Sequence, residues 1–79
     1  MKITIKAFSD FKNFLPRDTP STGWVVDMAD GATIDDLLAL LKLPVDTPKV
    51  FTVNDTNEKA DYVLNDNDFL KIFPMAMGG

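Results

Sequence analysis

One stretch of this 79-residue chain carries an apolar face at helical period: "TIDDLLALLKL", positions 33–43. Ile34, Leu37, Leu38 and Leu41 follow the i, i+3, i+4, i+7 rule and line one side of the predicted helix. Thr33 is placed to cap it, and Asp36 three residues on completes a capping-box pattern. Asp35 and Asp36 also lie at the positive end of the helix dipole. Pro44 ends the element by pushing Leu43 out of the helical region. A lone amphipathic helix must bury its stripe against something, and the remaining apolar segments are short and strand-like. One helix covers one face of one sheet. The chain is thereby steered to a single mixed sheet with the leucine face laid on one side.

The strand signals are alternations. In "KITIKAF" (2–8), Ile3, Ile5 and Ala7 point one way and Lys2, Thr4, Lys6 and Phe8 the other. "WVVDM" (24–28), "VFTVN" (50–54) and "FLKIF" (69–73) read as further strands, and "YVL" (62–64) as one of bridge length. In 69–73, Leu70 and Ile72 face one side, and Phe69, Lys71 and Phe73 the other. Pro74 is expected to stop the pairing. Residues 9–23 hold Pro16, Pro20 and Gly23 and read as a long connection with a helical turn near Phe11. Asp30-Gly31 centres a turn, "DTNEKAD" is a polar turn region, and "NDND" (65–68) is another turn. The order strand, strand, helix, strand, short strand, strand is the α+β plan called β-grasp, with four to five strands. It predicts a shared core of Ile3, Ile5, Leu37, Leu38, Leu41, Leu70 and Ile72. The length allows one domain, 1–79, with a flexible tail at 74–79.

Composition narrows the function classes. The chain has no cysteine and no histidine, which removes thiolate metal sites, the commonest metal ligand and the usual neutral-pH acid–base group. It therefore contains no Ser–His or Cys–His nucleophile of its own. This argues against self-contained catalysis, with carboxylate chemistry left open. A net charge of −4 without a basic stripe argues against nucleic acid as a partner. No signal-peptide core or membrane-spanning run is seen, so no membrane is expected and the cytoplasm is the default location.

Most candidate sites dissolve on inspection. "NDTNEKADYVLN" lacks the sixth-position glycine and terminal glutamate of a calcium loop. Asp35 and Asp36 are adjacent on a helix and do not share a face. No glycine loop cradles a phosphate. Phe8, Phe69 and Phe73 are different. By alternation they lie opposite the core, and parallel pairing of the first and last strands would set Phe8 beside Phe73 where the tail departs. Either these rings form an exposed docking patch, or the 9–23 connection folds over and covers them.

The chain closes on "PMAMGG". An accident of composition or an expression scar would look the same. Position favours a working part: from Pro74, the residues Met75, Ala76, Met77, Gly78 and Gly79 reach about 20 Å when extended. Two residues without side chains can enter a narrow tunnel and deliver the Gly79 carboxylate.

At these residues a resemblance appears. "DGATIDDLLALLKLP" and "VNDTNEKADYVLNDNDFLKIFPMAMGG" resemble the ubiquitin-like sulfur-carrier family (MoaD/ThiS-like). Its members include the small subunit of molybdopterin synthase, the closest in look, and the thiamine-pathway sulfur carrier. The matching positions are Gly31-Ala32-Thr33-Ile34 with Leu37-Leu38, Val53-Asn54, Leu64 with Asp66 and Asp68, and Phe73-Pro74 with Gly78-Gly79. Residues 9–22 match least. Asn67 stands where the family has glycine, and Met75-Ala76-Met77 replaces a proline–valine–small run. The resemblance implies a carrier, not an enzyme, that binds no cofactor itself. A ubiquitin-activating-type adenylyltransferase, using ATP and Mg²⁺, would adenylate the Gly79 carboxylate, and sulfur would then displace AMP to leave a thiocarboxylate. The sulfur acceptor would be a synthase subunit, either the molybdopterin (or tungstopterin) synthase large subunit or thiazole synthase. Conjugation to lysines and a β-grasp binding module with an incidental tail are the alternatives.

Overall fold

The computed structural model describes residues 1–44 and 46–75. Among them five strands form one sheet in the order β2-β1-β5-β3-β4. These are β1 (Lys2–Ala7), β2 (Trp24–Asp27), β3 (Lys49–Val53), β4 (Thr56–Glu58) and β5 (Phe69–Pro74). β1 and β5 are parallel neighbours in the interior of the sheet, and every other pairing is antiparallel. Helix α1 (Ile34–Leu41) supplies the second layer. This is the mixed sheet with one helix that the periodicities predict.

The core follows the alternation. Ile3, Ile5, Leu70, Ile72, Ile34 and Leu37 are fully buried, and Leu38 and Leu41 join the same cluster. Each such side chain contributes about 1.5–3 kcal/mol by leaving water. The connection after β1 forms a 3₁₀ turn at Ser9–Phe14, and its Phe11 is buried in this cluster.

Local chemistry explains the helix ends. Thr33 Oγ1 accepts the Asp36 N–H (3.3 Å), and the Asp36 carboxylate accepts the Thr33 N–H (2.9 Å). The Ile34 and Asp35 N–H groups donate to the carbonyls of Tyr62 and Ala60, so the 60–64 segment satisfies donors that the helix itself cannot. That segment makes the expected bridge, Thr33 with Val63.

Three expectations need correction. The helix stops at Leu41, before Lys42 and Leu43. Lys42 adopts the left-handed conformation (φ 60), and the Leu43 N–H returns to the Leu38 carbonyl in a Schellman-type cap. Leu43 is buried, so the cap folds an extra leucine onto the core. The stretch read as polar turn contains β4, which pairs with β3 through a two-residue turn. Asn54 (φ 51) and Asp55 (φ 71) both take positive φ, the type I′ geometry of a tight hairpin. Pro74 does not stop the pairing; it lies opposite Lys49. The Phe8 N–H donates to the Ile72 carbonyl and the Met75 N–H to that of Pro48, so alternate residues of β5 address β1 and β3. The missing N–H of Pro74 falls on the β1 side, past the last β1–β5 pair, Ala7 with Ile72.

The turn before β5 is a hydrogen-bonded knot. The Asp68 carboxylate, 5% exposed, accepts from the Asn65 N–H (2.8 Å) and the Asn54 side-chain amide (2.9 Å). Asn54 Oδ1 accepts the Phe69 N–H (3.0 Å). The Asp68 carbonyl accepts the Thr4 N–H, and the Lys2 N–H donates to the Asp66 carboxylate at 2.7 Å. Asn67, in place of glycine, takes φ 70 and keeps the turn.

Two stability predictions follow from close contacts. Asp68→Ala leaves two partly buried donors, the Asn65 N–H and the Asn54 side-chain amide, without their acceptor and is expected to cost about 1–3 kcal/mol in urea unfolding; a loss below about 1 kcal/mol would show that the knot is not structural. Gly23 has φ 117, and a Cβ there would lie 2.8 Å from Thr4 Cγ2 and 3.0 Å from the Ile5 carbonyl oxygen. Gly31 (φ 88) has nothing within 4 Å of the same position. Gly23→Ala should therefore cost more than Gly31→Ala, which bears only the backbone strain of about 1–2 kcal/mol. Equal losses would refute the close approach to β1.

Candidate functional site

With the helix on one side, the side chains on the other face of the sheet follow from strand register. Lys6 pairs with Lys71 across β1 and β5, and Lys71 with Thr52 of β3. One row towards the tail, Phe8 lies beside Phe73, and Phe73 pairs with Val50. One row the other way, Thr4 sits between Val25 of β2 and Phe69 of β5. The face thus has an aromatic and apolar row at the tail end, a lysine pair in the middle and a second aromatic position beyond.

The rings of Phe8 and Phe73 stack at 4.5 Å between centroids with 12° between their planes. Both are half-buried, as is Phe69. Phe69 is separate from that stack, with Lys71 between it and Phe73 on the same face. The lysines brace the rings: Lys6 Nζ lies 5.6 Å from the Phe8 centroid and Lys71 Nζ 5.5 Å from that of Phe69, within cation–π range. Lys71 also pairs with Asp55 at 2.9 Å.

The rings are neither fully exposed nor covered. The first half of the 9–23 connection sends Phe11 into the core. Its second half returns to β1 at Gly23, and Phe8 lines the cleft between the connection and the sheet. The connection approaches Phe8 without closing over it.

Pro74 and Met75 are both exposed at the end of β5. The Met75 N–H donates to the Pro48 carbonyl at 3.4 Å, which holds the chain to β3 at the point of departure. Ala76, Met77, Gly78 and Gly79, the tail and the proposed reactive end, lie outside the described residues. Sequence reasoning placed the aromatics and passed over Lys6 and Lys71. The alternation that turns Phe8 and Phe73 outward turns these lysines outward too, so the signal was present. Among the described residues no group of three or more His, Cys, Asp or Glu side chains is placed to hold a metal ion. Within the same residues no helix is long and apolar enough to cross a membrane.

Three solved structures share this architecture. SAMP1 from Haloferax volcanii is 19% identical, with a TM-score of 0.70 over 100% of both chains. A second structure, of H. volcanii small archaeal modifier protein 1, is 18% identical with a TM-score of 0.73, covering 95% of this chain and 98% of that one. A Pyrococcus furiosus protein assigned as molybdopterin converting factor, subunit 1, is 20% identical with a TM-score of 0.71 and the same coverage. At these identities the likeness is one of fold, and that fold is the ubiquitin-like β-grasp. No curated protein sequence matches the chain. The ThiS family model matches residues 16–79, taking in the helix, the Asp68 knot, Phe73 and the terminal glycines. The chain belongs to the ThiS family, a group of small ubiquitin-like carrier and modifier proteins.

Proposed function

We propose that this protein is a sulfur carrier whose Gly79 carboxylate is adenylated by a partner enzyme and converted to a thiocarboxylate. The observation that carries the reading is the placement of the Phe8–Phe73 stack at the point where a Gly-Gly-ended tail leaves the sheet. The proposed docking patch then lies beside the strand end from which the chain continues to Gly79. Family membership supports the same reading.

A carboxylate is a poor acyl donor until it carries a leaving group. A Gly79 carboxylate oxygen attacks the α-phosphorus of ATP, and pyrophosphate leaves. A persulfide sulfur attacks the acyl carbon and AMP leaves, forming an acyl disulfide. A thiol then reduces the S–S bond, releasing the thiocarboxylate and a disulfide. The catalytic groups and Mg²⁺ belong to the partner in this scheme. The carrier's own residues dock (Phe8, Phe73 and Phe69) and present the end (Pro74 to Gly79).

The Phe73-Pro74 entry to the tail favours the molybdopterin or tungstopterin branch, with its synthase large subunit as sulfur acceptor. The thiamine branch, with thiazole synthase, is the alternative pathway. A second reading draws on the fold match to a protein named small archaeal modifier protein 1. The same activated terminus can be attacked by a lysine amine, giving an isopeptide-linked modifier.

Incubation with the cognate activating enzyme, ATP, Mg²⁺ and a persulfide donor should add the mass of one oxygen-to-sulfur replacement, mapped to Gly79. Deleting Gly79 should abolish it and leave thermal unfolding unchanged. Hydroxylamine should trap the adenylate as a hydroxamate. An enzyme that activates another small protein from the same cell and leaves this one untouched defeats the carrier reading. Recovery of Gly79 on lysine side chains from cell extracts favours the modifier. Separately, Phe73→Ala should weaken the enzyme complex by more than about 1 kcal/mol. Lost stability with unchanged affinity of the folded fraction would remove Phe73 from the interface.

A further inference from the structure

The cleft beside Phe8 has a charge opposite to that of the molecule. Its lining includes Lys6, Lys12 and Arg17 and no carboxylate, on a chain of net charge −4. Among the described residues the one salt bridge joins Lys71 to Asp55, so none of these three cations has a carboxylate partner there. Phe8, Leu15, Pro16 and Pro20 add apolar surface between them.

The outer wall is stiff. Two successive turns, each opened by a proline, build it. The Thr19 N–H and hydroxyl both donate to the Pro16 carbonyl (3.0 and 2.6 Å), and the Gly23 N–H donates to that of Pro20 (2.9 Å). Gly23 then seats the wall against Thr4 and Ile5 of β1. A wall held this way loses little freedom when a ligand enters.

Charge, more than size, selects the occupant. The cleft is half open and offers about 1040 Å³, far more than a lone anion fills. It opens onto the same sheet face as Phe8 and Phe73. We propose that it binds an acidic peptide segment of a partner protein, with carboxylates meeting Lys6, Lys12 and Arg17 and an apolar side chain seated on Leu15 and Phe8. The proposal goes beyond the carrier reading, and its first test does not depend on Gly79 being activated.

The test is titration of the ¹⁵N-labelled protein with a capped peptide of glutamates around a central leucine. The amides of Lys6, Lys12, Asn13, Arg17 and Ser21 should shift saturably, while α1 stays still. Affinity should fall about tenfold or more between ~20 mM and ~200 mM salt as the charges are screened. Lys12→Glu with Arg17→Glu, both at exposed positions, should remove binding and leave the core resonances in place. With the activating enzyme in hand, the same double variant should slow association about tenfold or more. The proposal is overturned if the double variant binds the peptide as well as the wild type does, or if inorganic phosphate alone produces the same shifts at the same concentration. It is equally overturned if those amides shift on raising protein concentration without peptide, which would assign the cleft to a second copy. Failed adenylation with intact peptide binding would remove the carrier reading and leave the cleft standing.

Discussion

The Asp68 carboxylate sits where three strands must be held together, and it does so with two bonds. Through Asn54 it reaches the β3–β4 turn, and through the Asn65 N–H it shapes the approach to β5. The backbone of the same residue accepts from Thr4 of β1. The pairing of β1 with β5 is parallel and joins the two ends of the chain, so loop-closure entropy opposes it more than any other pairing in the sheet. A buried acceptor with satisfied partners gives that pairing a fixed register. Register matters here because a slip of one residue would turn Ile3, Ile5, Leu70 and Ile72 out of the core.

This knot also gives a physical account of the motif residues that carry the family resemblance. Asn54 and Asp68 are 14 positions apart and hydrogen-bonded to each other. Asp66 binds the Lys2 N–H, and Leu64 is buried under the turn. These residues build the sheet, and the proposed function rests on the other face and on the tail.

Much of this was legible in the sequence because period-two alternation and one strong amphipathic helix agree with each other. Alternation in 2–8 and 69–73 sufficed to set Phe8 beside Phe73, once one helix had been assigned to one face. β4 was missed because Thr56, Asn57 and Glu58 form a polar edge strand with no buried row, and only the Asn54-Asp55 turn marks it. The helix end was misjudged because the left-handed cap falls on Lys42, where glycine would have announced it. Pro74 was read as a stop because its N–H direction depends on which neighbour has already ended. The cleft was invisible for a similar reason: Lys6 and Arg17 line it from segments whose juxtaposition no local pattern encodes.

The Met75 N–H, 3.4 Å from the Pro48 carbonyl, and the pairing of Pro74 with Lys49 moor the end of β5 beside β3. Four residues follow Met75, and whatever path they take they span no more than about 14 Å. In the proposed carrier, with a partner seated on the Phe8–Phe73 stack, the terminal carboxylate would be a tethered reactant. Its effective concentration at the partner's reaction centre is in the millimolar range or above, independent of how dilute the carrier is in bulk. Lengthening the tail would dilute the end slowly, whereas releasing the mooring would change both its range and its aim. In that reading the strand that carries Pro74 would set how far the carboxylate can work from the proposed docking face.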